Sequence, residues 1–465
     1  MGKKQNKWIT FIIICLTTGV ITELPYLRWA LYEPLREFLG QSNTQFGMSA
    51  SLFGLLSMIL YIPGGWVADR FSHKTLFAVS SIGCGLLGFW LATAPGFTTV
   101  MIIHGLWSVT NIGLFWPTMT KAIALLEDSE GQGKVFGFFE GVRGVFVVVM
   151  WLGLMKVFEN MGGMRMVIIV MSVLSIICGI LSILFMPSNK DADATSSGTI
   201  MKDMGKALKY PVTWLCAGTI LCVYSVYSAS SYMQPYCQEV LGMTAVVAGY
   251  VGIIKKDVIR LAAAPFSGWL SKKWGGRCAA LIGVFGAMLV ATLVILLVLP
   301  SGGDFVALTV IIMVASSFAI YGMRGMYYAI IGEAGTPAAI YGTVSGIAMF
   351  VGFSPDFFNP TLIGSWLDQY PGAAGYRMIF IYMLVTMLVG LGFVVLLMKH
   401  NKKNKKEVAE TDGTVKCNHI CNFPGNAGCK NHCDSVFCCI AAFYDYSYGF
   451  NDKFNCCFIY HGNLT

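Results

Sequence analysis

Apolar stretches of about 20 residues, each closed by a short polar or Gly/Pro break, follow one another along most of the chain. A bilayer core needs about 20 apolar residues per helix, and the pattern predicts twelve spans: 8–31, 46–68, 75–94, 98–119, 134–156, 165–186, 211–236, 245–270, 277–299, 305–330, 338–363 and 377–398. The first is longer than the apolar part of a secretion signal. It has no small-residue cleavage site before its Glu23-Leu24-Pro25 break, so it is expected to remain as a span.

Composition points the same way. With 56% hydrophobic and 12% charged residues, a chain of 465 residues has too little polar surface to cover a water-soluble globule. The formal charge of +8 reads as topology, because Lys and Arg in short loops stay on the cytoplasmic side. One side collects Lys3, Lys4, Lys7, Arg70, Lys74, Lys121, Lys134, Lys202, Lys206, Lys209, Lys272, Lys273, Arg277 and the lysines from Lys399 to Lys406. The other holds little beyond Arg36, Lys156, Arg165 and Arg377. Both termini are therefore expected in the cytoplasm, with the protein multi-pass in the cell (inner) membrane. No basic face is left for nucleic acid.

The longest polar interruption, Pro187 to Tyr210, follows six spans and reads as a linker. The expected organisation is a six-helix bundle over 1–186, a cytoplasmic linker over 187–210, a second bundle over 211–398 and a Cys-rich tail over 399–465. A repeat supports the duplication, since Gly65-Trp66-Val67-Ala68-Asp69-Arg70-Phe71-Ser72-His73-Lys74 after the second span corresponds to Gly268-Trp269-Leu270-Ser271-Lys272-Lys273-Trp274-Gly275-Gly276-Arg277 after the eighth. The first copy, with Gly65, Asp69, Arg70 and Lys74 in the order G-x-x-x-D-R-x-x-x-[RK], resembles the loop signature of the major facilitator superfamily. In it Gly allows close helix approach, and the Asp and basic residues can pair across a gate or face a helix end. The second copy has Lys272 at the acidic position, so the same pairing is not expected there.

Ionisable residues inside spans are costly in hydrocarbon and face a wet cavity or a partner. Segments 3, 6, 9 and 12 have none in their interiors, whereas segments 1, 5, 8 and 10 carry Glu23 and Arg28, Glu140 and Arg143, Lys255, Lys256, Asp257 and Arg260, and Arg324. In the family resembled, the first set faces lipid and the others line a central cavity. A guanidinium is permanently charged and presents a planar fork to carboxylate, phosphate or sulfonate oxygens. Arg143 and Arg260, both near midplane, are the leading anion ligands; Arg28 beside Tyr26, and Arg324 beside Tyr321, Tyr327 and Tyr328, complete the set. Tyr224 and Tyr227 offer a face for substrate hydroxyls.

Glu140, one helical turn before Arg143, is a candidate proton carrier or salt-bridge partner. Asp257 stands in the same spacing to Arg260, and Glu23 and Asp356 are further proton candidates. The run from Gly133 to Gly144, with Trp116-Pro117, Lys121, Leu24-Pro25, Arg28, Arg260-Leu261 and Arg324 through Gly332-Glu333, is similar to bacterial sugar-acid and organophosphate-type facilitators. That resemblance implies a sulfonated, phosphorylated or carboxylated small solute. From the residues, a proton or a counter-anion is expected as its companion, and the carrier is expected to be a monomer.

The tail holds eight of the fifteen cysteines, at 417, 421, 429, 433, 438, 439, 456 and 457. Cys417-x-His419-x-Cys421 and Cys429-x-x-His432-Cys433 match no common structural zinc spacing, so a poorly ordered extension is expected. The expectation is an all-α polytopic membrane protein in two six-helix bundles, not an enzyme and without a cofactor. It carries a small organic anion by alternating access, with a proton symporter first, an anion exchanger second and a non-transporting receptor third.

Overall fold

Lipid offers the backbone no hydrogen-bond partner, so a spanning segment must pair its own N–H and C=O groups, which a helix does within one segment. The computed structural model describes residues 7–124, 126, 132–187, 200–300 and 303–421, and every regular element among them is helical. The spans are Lys7–Ile21 (span 1), Asn43–Arg70 (span 2) and His73–Leu91 (span 3). Span 4 runs as Phe97–Ser108, Val109–Phe115 and Trp116–Ala124, span 5 is Gln132–Asn160 and span 6 is Gly163–Phe185. In the second half span 7 is Pro211–Ala229 continuing to Met233–Glu239, and span 8 is Ala245–Ile253, Ile254–Val258 and Ile259–Lys273. Span 9 is Cys278–Val298, span 10 Val306–Arg324, span 11 Ala338–Gly352 with Pro355–Gln369, and span 12 Ala373–Cys421.

Two expectations change. The first and eleventh segments are not single helices. Span 1 stops at Ile21 and resumes as the tight turn Leu27–Trp29, and span 11 breaks between Gly352 and Pro355. The helix of span 12 also continues to Cys421, so the tail's first residues are helical; Cys429, Cys433, Cys438, Cys439, Cys456 and Cys457 lie outside the described residues. By length and composition nine described helices can cross a membrane; spans 1 and 11 fall short of that measure because their breaks leave short pieces, and span 8 because it carries Lys255, Lys256, Asp257 and Arg260. These three spans carry ionisable residues at their irregular turns. Glu23 and Arg28 flank the first, Lys255, Lys256 and Asp257 occupy the π turn of span 8, and Asp356 follows the break in span 11. Irregular backbone is tolerated at membrane depth where it lines a cavity rather than lipid; the breaks and the charges therefore mark the same place.

Spans 3, 6, 9 and 12 turn apolar rows outward, among them Val79 and Leu86, Ile180 and Leu184, Val284 and Val298, and Val385 and Leu388. The halves meet along spans 1 and 7, 2 and 11, and 5 and 8. At the end bearing Asp368, a Cβ on Gly47, Gly54 or Gly364 would collide with the backbone of the facing span at Pro360, Asp356 or Asn43. Backbones approach so closely only where glycine leaves room. Asp368, beyond the apolar stretch of span 11, accepts hydrogen bonds from the Asn43 and Thr44 amides at 3.0 and 2.8 Å and from the Thr44 hydroxyl at 2.5 Å. It thereby caps the N-terminus of span 2, a site that favours negative charge. Burial works to raise its pKa, but these hydrogen bonds outweigh burial and hold it below the usual carboxylate range. Ser51 with Thr361 (2.8 Å) and Tyr32 with Gln234 (3.3 Å) add cross-half bonds on this side.

Candidate functional site

Nearest the Lys7 end lies the pair that leads the sequence argument. Arg143 of span 5 and Arg260 of span 8 donate to the same Oε2 of Glu140, at 2.7 and 2.5 Å. One carboxylate thus joins two cations from opposite halves. Arg143 is buried and its Nε has no hydrogen-bond partner, while Arg260 and Glu140 keep 35% and 48% of their side-chain surface.

The middle level is ionic and internally matched. Lys256 donates to Oε2 of Glu23 at 2.5 Å across the halves, the Trp151 indole donates to the same oxygen at 3.0 Å, and Asp257 lies 3.9 Å from Lys256. Lys255 donates to the carbonyl oxygen of Ser230. Asp257 therefore does not partner Arg260 as its spacing suggested. Residues three apart share a face in an α-helix, but Ile254–Val258 is π-helical, and the wider turn rotates Asp257 away. Lys256 was not among the candidate ligands; its signal was a Lys-Lys-Asp run in the middle of a span.

Toward the Asp368 end the chemistry changes. Arg28, held by the turn Leu27–Trp29, donates to the Tyr232 hydroxyl at 2.5 Å and sits among the rings of Tyr32, Phe46 and Tyr232, with centroids 5.2–5.5 Å from its guanidinium carbon. Its Nη1 is buried with no partner. Arg324, at the end of span 10, lies 3.6 Å from the ring centroid of Tyr227 and 5.5 Å from that of Tyr224. Among the described residues neither arginine has a carboxylate within 4 Å, whereas Arg143 and Arg260 do. Asp356 stands in this group and accepts from the Tyr224 hydroxyl at 2.7 Å. A cavity of about 30 Å³, lined by Arg28, Asp356, Tyr26, His104 and Ser231, lies against it and has room for water but not for a solute.

Tyr26 packs edge-on to Phe53 within the first half, and Tyr227 packs on Trp29 across the halves and on Tyr321 within the second, so Tyr227 joins the halves as well as facing Arg324. His104 is satisfied by the Val100 carbonyl (2.9 Å), and Asn111 reaches Cys84 (3.6 Å). In the loop motif Asp69 pairs with Lys121 of span 4 at 2.7 Å and Arg70 covers Trp66 at 4.0 Å. That pairing stays within the first half, not across to the second. A Cβ on Gly65 would meet nothing, and Lys74 lines a groove between spans 3 and 6. Among the described residues no cluster of His, Cys, Asp and Glu has metal-site geometry.

The model of the Major Facilitator Superfamily matches residues 8–355. Inner membrane protein YqcE of Escherichia coli (strain K12) is 35% identical over 385 residues, covering 80% of this chain and 90% of its own. Inner membrane protein YihN of the same strain is 28% identical over 415 residues, covering 87% and 98%. Among solved structures, a bacterial homolog of the human lysosomal transporter Spinster, in an inward-facing and unoccupied conformation, superposes with a TM-score of 0.70 at 15% identity, covering 86% of this chain and 99% of that one.

Proposed function

This chain belongs to the major facilitator superfamily, whose members are transporters rather than enzymes, and on that premise we propose that it is a proton-coupled carrier of a small organic anion. The observation that carries the reading is Arg28, a buried guanidinium that among the described residues has no carboxylate within ion-pair distance and no partner for its Nη1. An unpaired buried charge costs several kcal/mol, and a bound anion would offset that cost. Arg324 across the halves lies in the same group, so an anion held between the two would draw the halves together, as alternating access requires.

Asp356 supplies the coupling. As a carboxylate beside Arg28 and Arg324 it repels the anion; with a proton bound, it leaves both guanidinium groups to the solute and can donate a hydrogen bond. With the termini in the cytoplasm, as the loop charges imply, the Asp368 end is periplasmic and the present state opens inward. The linker and tail then lie in the cytoplasm, the membrane is the cell (inner) membrane, and the carrier acts as a monomer.

Uptake of labelled sugar acids, sugar phosphates and sulfonates into proteoliposomes tests this. An inward proton gradient should drive accumulation, and Arg28→Gln should abolish it. Flux that needs an internal anion and ignores the proton gradient selects exchange, and binding without flux selects a receptor. Transport of neutral sugars alone overturns the anion reading.

A further inference from the structure

We infer that His104 delivers the coupling proton to Asp356 through water held between the two halves; this rests on the proton role of Asp356 and supplies its route. The cavity of about 30 Å³ beside Arg28 takes His104 from span 4 and Asp356 from span 11, so a base of one half and an acid of the other share it. The other titratable or charged residues around it are Arg28, Tyr26 and Tyr232. A guanidinium and two phenols keep their protons near neutral pH. His104 and Asp356 are therefore the pair between which a proton can move.

The imidazole is held in one tautomer. Nδ1 of His104 lies 2.9 Å from the carbonyl oxygen of Val100, one turn back in the same helix. A carbonyl only accepts, so Nδ1 carries the hydrogen and Nε2 of the neutral ring is left as an acceptor. Nε2 has no hydrogen-bond partner among the described residues, although His104 is buried. Trp107 packs edge-on against the ring, with centroids 5.2 Å apart, and limits its rotation. On the other side, the Tyr224 hydroxyl takes one lone pair of Asp356 at Oδ2, and a carboxylate has others to offer. A water molecule between the two acceptors can give one hydrogen to each. Buried water settles where such polar partners converge.

A proton from the Asp368 side adds to Nε2 and makes the imidazolium, while Nδ1–H stays on Val100. Nε2–H then passes its proton to the water, which releases one of its own to the carboxylate. The imidazole returns neutral, the water is regenerated, and Asp356 ends as the acid that admits the anion. Access comes from the joint that closes this end, because Gly54 and Pro360 line the cavity and also belong to the close glycine contacts between spans 2 and 11. Parting of those spans wets Nε2. An imidazole ordinarily titrates near about pH 6.5 and a carboxylate near about pH 4, so His104 collects protons where a bare carboxylate collects few.

Nitrogen-15 NMR of the full-length protein in lipid nanodiscs, with histidine labelled at both ring nitrogens, reads the relay without any solute. The His104 signals are those missing from His104→Gln, or from His104→Asn where the first variant misfolds. In the native chain at mildly alkaline pH they should show a protonated Nδ1 and a bare Nε2, and in Asp356→Asn the Nε2 signal should move far more than the Nδ1 signal. A protonated Nε2 with a bare Nδ1, or an Nε2 signal indifferent to Asp356→Asn, overturns the relay and leaves the anion carrier standing. In proteoliposomes given labelled gluconate or glucose 6-phosphate, His104→Gln should lower the maximal rate of proton-driven uptake by about tenfold or more, with half-saturation within about twofold of the native value. An unchanged rate, or half-saturation that rises as far as the rate falls, overturns the relay as well. Uptake by the native chain that ignores the proton gradient overturns the coupling role of Asp356 and the relay with it, and the spectra tell the two failures apart.

Discussion

The two ends of the bundle are closed by different means. At the Asp368 end the halves touch backbone to backbone at Gly47, Gly54 and Gly364, and Asp368 of one half caps a helix of the other. Toward the Lys7 end, the joint that stands out is a single carboxylate oxygen shared by two arginines. Shape-matched backbone contacts of the first kind need no solute and hold no charge that a solute could replace. The second joint is built of the groups a diffusing anion would seek, so a solute can undo it by substitution. The difference makes one end a fitted seal and the other a responsive one.

The largest expected effect comes from destroying the fit. Gly364→Leu or Gly47→Leu should keep the Asp368 end open and abolish transport, and distances between spin labels at that end should lengthen. Next is the responsive joint. Glu140→Gln leaves Arg143 and Arg260 without their shared charge, and anion affinity at neutral pH should rise about tenfold, equivalent to about 1.4 kcal/mol, with slower release; unchanged affinity would remove Glu140 as a competitor.

A smaller effect follows from Asp368, whose depressed pKa means that its charged form is favoured by the closed end. That stabilisation is present above the ordinary carboxylate range and is lost as pH falls through the lower value in the closed state. Spin-label distances at this end should lengthen on acidification in the native chain and show no such response in Asp368→Asn. The smallest concerns Lys121→Gln. It removes an exposed partner of Asp69 and should shift thermal stability by no more than about 1 kcal/mol, with transport reduced less than twofold.

Much of this architecture is visible in the chain itself, because lipid imposes a length and an apolar composition on each span. The breaks at Glu23-Leu24-Pro25 and before Pro355 carry the residue types that interrupt helices. The π turn of span 8 does not: Ile254-Lys255-Lys256-Asp257-Val258 holds neither glycine nor proline, so its altered register is invisible, and with it the true neighbours of Asp257. The arginines stand out as charges in apolar surroundings. Which of them is already neutralised is hidden, since Glu140 and Arg260 are 120 positions apart. Local spacing finds the Glu140–Arg143 pair; only packing of the halves shows that Glu140 serves both arginines while Arg28 and Arg324 go without a paired carboxylate.

The shared oxygen of Glu140 bears on what an empty carrier can do. A binding site whose charge is left bare resists reorientation, because bare charge must be dragged through a dry constriction; such a carrier waits for the next passenger. Here Glu140 already stands against Arg143 and Arg260, so the larger part of the barrier to an unloaded return stroke comes from Arg28, which has no ion-paired carboxylate among the described residues. Asp356 is the acid placed to answer it, and a cycle that unloads its solute and its proton together would leave that acid charged for the journey back.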